Sequence, residues 1–182
     1  VTDDAAVTME RSLVQLARAG DDAAFERVLE PLLVPAHDLA FAVLRDRQAA
    51  EDAVQESAVL AWRSFGRLRD DRKARAWFLK IVLNQCRATM RTRWWRWHLF
   101  GGRVDVEVDG DQVGVERRLD LERALSGLSR EQRAVLFLFF QLDLSQEEVA
   151  RLLGVRVGTV KSRLHRAVAR LREGAEREGA EP

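Results

Sequence analysis

Between Leu144 and Arg172 the chain reads LSQEEVARLLGVRVGTVKSRLHRAVARLR, a pattern that few folds satisfy. Ser145 stands where a helix cap belongs, and Glu148 three residues later completes a capping box. Val149, Leu152 and Leu153 then make an inner face, and Ala150 is small where a partner helix must approach. Gly154 ends this helix in a conformation that favours positive φ, and Val155 packs inward in the turn. A second helix starts around Val157–Thr159, with Val160, Leu164, Val168 and Leu171 expected as its buried stripe. Together these predict a helix-turn-helix.

The outer faces of the second helix carry Arg156, Lys161, Ser162, Arg163, His165, Arg166, Arg170 and Arg172. No acidic residue falls between Arg156 and Arg172. Side chains at the N-terminal end of such a helix reach base edges in the major groove, and flanking cations hold phosphates. A solvated basic face on an ordinary helix is the plain alternative. The one-sided charge, capping box, turn glycine and small residue coincide, which favours the DNA-reading one. Upstream, Leu125, Leu128, Arg133, Val135, Leu136, Phe137, Phe139 and Phe140 supply a packing helix, and the aromatic run is expected in the core.

The net charge of +1 hides this polarity. A second basic segment runs from Arg67 to Arg96, with ten Lys or Arg residues against only Asp70 and Asp71. Glycines and acids gather between them, from His98 to Arg117, and predict an extended acidic linker, with a β-hairpin through Val104, Val106 and Val108 as an alternative. Elsewhere apolar residues recur at three- and four-residue spacing, which gives helices near 9–19, 21–30, 32–46, 49–66 and 73–96. The fold class is therefore all-α, two small helical domains joined by a linker. The expected division is 8–97, linker 98–117, 118–173, and a polar tail 174–182.

Several classes are disfavoured. One cysteine, Cys86, permits no internal disulfide and no thiolate zinc site, and it reads as core filler. The three histidines are scattered, no phosphate loop or nucleophile elbow is present, and the expectation is no enzyme, no metal and no cofactor. No stretch approaches the roughly 18 apolar residues of a membrane span, and Val1–Ala6 does not resemble a signal peptide. A cytoplasmic location is expected, without membrane insertion.

The segment LSQEEVARLLGVRVGTVKSRLHRA resembles region 4 of bacterial sigma factors of the extracytoplasmic-function (ECF) group in the sigma-70 family. That resemblance implies recognition of the promoter −35 element, with Arg156, Thr159, Lys161, Ser162, Arg163, His165 and Arg166 as contacts. A helix-turn-helix occurs in many regulators, so the first domain supplies the independent evidence. AAEDAVQESAVLAWRSFGRL, Ala49–Leu68, is similar to the group's region 2.2 helix. The likeness implies that Asp52, Gln55 and Glu56 dock on the polymerase clamp helices. RKARAWFLKIVLNQCRATMRTRWWRW, Arg72–Trp97, resembles regions 2.3 and 2.4. It implies that Asn84 reads a flipped base of the −10 element, with Lys80, Arg87, Arg69 and Arg91 beside it on DNA. The loop Phe65–Arg72 would form part of that pocket.

By resemblance the first domain is sigma region 2 and the second is region 4, and the linker runs through the RNA-exit path. Implied partners are core RNA polymerase, through its clamp helices and flap, promoter DNA, and an anti-sigma factor. Trp77 is expected in the core. Trp94, Trp95 and Trp97 are left among core capping, DNA stacking and an inhibitor contact. A stand-alone dimeric regulator using only the helix-turn-helix is the rival reading; it predicts tight binding to a palindrome.

Overall fold

A computed structural model of the chain describes residues 13–68, 70, 73–100 and 127–178, with the side chains of 93–100 and 175–178 excluded. All regular structure among the described residues is helical. They fall into two compact units. One holds α1 (13–18), most of α2 (Asp22–Leu44), α3 (Arg47–Ser64) and α4 (Ala74–Phe100). The other holds α5 (Arg130–Leu136), α6 (Gln146–Leu153) and α7 (Val157–Glu178), and Ala42–Arg47 groups with it. Arg69, most of the expected linker and the end of the tail lie outside the described residues.

In the first unit, Asp21 caps α2: its Oδ1 accepts from the Ala24 N–H at 2.8 Å. Two helices were expected here, broken near Pro31, yet α2 runs unbroken for 23 residues with Pro31 and Pro35 inside it. Each proline removes one helical hydrogen bond, at a cost of roughly 3 kcal/mol. The inner stripe of Phe25, Leu29, Ala36, Leu39, Ala40 and Val43 is buried on both sides of the prolines. Full burial of each large member contributes about 1.5–3 kcal/mol, so the stripe outweighs the break.

Small residues line the inner face of α3: Ala50, Ala53, Ser57 and Ala61 are buried with Val54. Ser57, wholly buried, satisfies its hydroxyl by donating to the Ala53 carbonyl. Leu60 is 38% exposed, because it sits on the flank of the stripe. A turn of 3₁₀-helix, Phe65–Arg67, follows α3 and buries Phe65. α4 contributes Phe78, Leu79, Val82, Leu83 and Cys86 to the core and continues to Phe100, past the expected end at 96.

Burial pushes the Cys86 thiol up to about 12 from its ordinary 9.0. The folded chain therefore keeps this proton in a window where the unfolded chain loses it. The stability tied to Cys86 is complete below about pH 9 and falls as pH rises from there towards 12. A maleimide reagent at pH 8 is expected to leave Cys86 unmodified in native protein and to label it once denaturant unfolds the first unit. Rapid native labelling would contradict the burial.

In the second unit, Ser129 and Gln132 form a capping box at the start of α5: Gln132 N–H donates to Ser129 Oγ, and Ser129 N–H donates to Gln132 Oε1. Its Ser-x-x-Gln signal is legible in the sequence but was not anticipated. α5 passes into a π-helical turn, Phe137–Gln141, in which Leu142 N–H reaches Phe137 O at 3.2 Å. The wider turn buries Leu138 and Leu142 but swings Phe140 out to 61% exposure. Phe140 therefore does not join the expected aromatic core; Phe139 is half-buried and meets it edge to face, centroids 5.0 Å apart.

Candidate nucleic-acid interface

The helix-turn-helix forms as its sequence dictates. Ser145 accepts from the Glu148 N–H, and Glu148 Oε2 accepts from the Ser145 N–H at 2.9 Å and its hydroxyl at 2.7 Å. Gly154 closes α6 in the left-handed region at φ 68, ψ 37. A side chain there is strained whatever space surrounds it, so glycine is required by backbone geometry. Val149, Ala150, Leu152 and Leu153 are all buried.

On α7 the innermost residues are Val160, Leu164 and Ala167. Val168 and Leu171, expected in that stripe, are only half-buried: at 100° per residue Val168 turns away from the line of Val160, Leu164 and Ala167, whereas Leu171 stays on that line. The same geometry sets Ser162 and Arg166 opposite the core, with Lys161 and His165 on one shoulder and Thr159 and Arg163 on the other. Arg156, Lys161, Ser162, His165 and Arg166 are exposed, and Thr159 and Arg163 are partly so.

Arg166 is preorganised. Its Nε donates to Ser162 O at 3.1 Å and its Nη2 to Ser162 Oγ at 3.3 Å, while Ser162 Oγ donates to Thr159 O at 3.0 Å. The guanidinium is thus laid back towards the N-terminal end of α7, where a groove-reading helix makes its base contacts. Farther along, Arg170 donates through Nη1 to Gly127 O at 2.7 Å. A concavity of about 490 Å³ lies there, lined by Ser129, Gln132, His165, Arg166 and Arg170 among others.

In the first unit, Lys80, Asn84, Arg87 and Arg91 are all exposed and follow one another at i, i+4, i+7 and i+11 along α4. They share a face opposite Phe78, Val82 and Cys86. Arg87 Nη1 donates to Asn84 Oδ1 at 3.1 Å, which fixes the carboxamide within this stripe. Trp77 opens the same face. It is half-buried, not wholly in the core, and packs edge-on against Phe65 with centroids 5.6 Å apart.

Asp52, Gln55 and Glu56 are exposed together on the outer face of α3. Gln48 donates to Asp52 Oδ1 at 3.0 Å, which steadies that carboxylate. Beside Gln55 an apolar groove of about 490 Å³ runs between α2 and α3, lined by Leu29, Leu33, Val34 and Val54 among others. Val34 at its edge is 70% exposed, and sequence periodicity gave no warning of it. Among the described residues no group of three or more His, Cys, Asp or Glu side chains is placed to hold a metal. None of the described helices is long and apolar enough to cross a membrane.

Comparison with known proteins follows the same division. The family described as Sigma-70 region 2 matches residues 29–96, and Sigma-70, region 4, matches residues 118–171. The chain is 36% identical over 166 residues to the ECF RNA polymerase sigma factor SigM of Mycobacterium tuberculosis, covering 89% of this chain and 84% of that one. It is 34% identical to the RNA polymerase sigma factor CnrH of Cupriavidus metallidurans, covering 89% and 92%. Among solved structures, the sigma factor RpoE in complex with the anti-sigma factor NepR, from Bartonella quintana, matches with a TM-score of 0.75. There the identity is 28%, over 84% of this chain and 96% of that one. CnrH in complex with the cytosolic domain of CnrY matches with a TM-score of 0.67 and 27% identity, over 94% and 99%.

Proposed function

The chain belongs to the sigma-70 family, in its extracytoplasmic-function group, and from that premise we propose how its surfaces share the work of starting transcription. Its function is that of a sigma factor: it binds RNA polymerase and directs initiation at promoters. Residues 8–97 act as region 2, 98–117 as the linker, and 118–173 as region 4, with 174–182 a tail.

The face of α7 reads the −35 element in the major groove. Lys161, Ser162, His165 and Arg166 face base edges, and Arg156, Thr159 and Arg163 flank them on base or phosphate. The α4 stripe follows the −10 strand: Lys80, Arg87 and Arg91 hold phosphates, and Asn84 hydrogen-bonds a base that has left the stack. Arg69, beyond the described residues, is assigned to the same strand. Asp52, Gln55 and Glu56 dock on the clamp helices, and region 4 meets the flap. The work is recognition and strand capture, so no residue is assigned a catalytic role, and its place is the cytoplasm, with polymerase and DNA.

One observation carries this reading: two exposed basic stripes stand on separate units of a nearly neutral chain, with an exposed acidic and amide stripe on the first. A dimeric regulator needs only one of these surfaces. An anti-sigma factor is the remaining partner. RpoE is in complex with the anti-sigma factor NepR, and CnrH with the cytosolic domain of CnrY; the apolar α2–α3 groove beside Gln55 suits an apolar inhibitor helix.

The test is reconstitution. Purified chain added to core polymerase is expected to yield transcripts whose start sites share aligned −35 and −10 elements. N84A is expected to lower initiation about tenfold and to relax preference at one −10 position, in keeping with the loss of one base contact. No promoter-specific transcript from any promoter of its genome would refute the reading.

A further inference from the structure

The concavity of about 490 Å³ on the second unit joins the face of α7 to the start of α5. Two of its lining residues, His165 and Arg166, belong to the reading face; Gln132 and Arg170 do not. Gln132 is only 8% exposed, although glutamine is mostly a surface residue. Its Oε1 accepts from the Ser129 N–H at 2.8 Å, so the amide nitrogen points the other way. No described residue takes a bond from that nitrogen. No fully buried side-chain nitrogen or oxygen lacks a partner, so this one is open to the concavity that Gln132 lines.

Arg170 supplies the second donor. It is exposed, and its Nη1 is tied to Gly127 O at 2.7 Å. A guanidinium carries five N–H groups in a rigid fork, so this bond fixes the orientation and leaves donors over. Position along α7 says what arrives there. Arg170 stands about 12 Å along the axis from Ser162, at 1.5 Å per residue. The major groove is about 12 Å wide. A helix seated with Ser162 among bases therefore carries Arg170 to a strand that borders the groove.

We infer that the α5–α7 concavity seats one backbone phosphate at the border of the −35 element, held by Gln132 Nε2 and the Arg170 guanidinium. The inference rests on the reading of α7 as the −35 face and adds a contact outside it. Such a contact fixes the register of the unit on the duplex and carries no base information. Glu173, exposed at the same concavity three residues beyond Arg170, opposes a second anion, so the seat takes a single phosphate. The phosphate of a free ligand shares this chemistry and is the competing source.

The experiment uses holoenzyme, the full chain on core polymerase, and promoter fragments in which each phosphate around the −35 element is in turn made an uncharged methylphosphonate. Wild type is expected to lose about tenfold in affinity at one bordering position. R170A and Q132E are each expected to bind the intact fragment about tenfold more weakly and to become indifferent to that position only. Glutamate keeps the oxygen that accepts from the Ser129 N–H, so Q132E removes the donor and preserves the cap. Should loss of the Gly127 bond unfold R170A, Q132E carries the test alone. In R170A the slope of log affinity against log salt is expected to shrink by about one, with base preference at −35 unchanged. If both variants still feel every position that wild type feels, the seat is refuted and the −35 reading stands; if wild type shows no base preference at −35, both fall. Adenosine monophosphate probes the other source. If it weakens promoter binding by wild type but not by R170A, and no backbone position couples to either variant, the concavity belongs to a free ligand and the inference is overturned.

Discussion

Phe78→Ala is expected to destabilise the first unit by about 3–5 kcal/mol, enough to unfold it in part at 37 °C. Phe78 is 1% exposed and sits on α4 amid Leu79, Val82 and Leu83, all buried. Truncation leaves a cavity that rigid helix backbones cannot close, so the cavity adds to the lost transfer free energy. Small domains hold only about 5–15 kcal/mol in total, so the loss is a large share of what is available. All five tryptophans, at 62, 77, 94, 95 and 97, belong to the first unit, which takes in Gln48–Val104. Intrinsic fluorescence therefore reports on this unit alone. The denaturant midpoint read by fluorescence should fall markedly in F78A, with an unchanged slope. A midpoint within experimental scatter of wild type would mean that α4 is not the spine of the unit.

Lys161→Glu is expected to lower −35-dependent initiation about a hundredfold while the fold stays intact. Lys161 is exposed on α7, so the change removes no packing. It does place a carboxylate where the neighbouring cations meet a polyanion. Loss of one base or phosphate contact costs about 1–3 kcal/mol, and reversal of sign brings the cost to the top of that range. Two readouts separate this from a general defect. Binding of K161E to core polymerase should be unchanged, and the salt dependence of promoter binding should become shallower. An initiation rate near wild type would remove Lys161 from the interface.

The second unit was legible almost to the atom where local chemistry decides structure. The Ser145–Glu148 box and the left-handed Gly154 follow from residue type and spacing, because each needs only neighbours in sequence. Long-range packing was less legible. Two prolines in an amphipathic stretch ordinarily argue for a break, yet burial at Phe25, Leu29, Leu39 and Val43 carried α2 through them. A run of phenylalanines argues for core, yet one π turn re-aimed Phe140 into solvent. The candidate site divides in the same way. Family resemblance picked out Lys80, Asn84, Arg87 and Arg91, and α4 sets them on one face. The bond from Arg170 to Gly127 O joins residues 43 apart and left no trace in any local pattern.

The twin capping boxes carry a consequence for time rather than for shape. α5 and α6 have only seven and eight residues, too short to persist as isolated helices in water. Each nonetheless starts on a reciprocal pair of bonds between residues three apart, and α7 packs on both from nearby in the chain. Helical units assembled from such near neighbours fold in microseconds to milliseconds. Translation advances at about 5–20 residues per second, several orders of magnitude more slowly. Folding of the reading unit therefore adds no appreciable delay between synthesis of this chain and its first round of initiation.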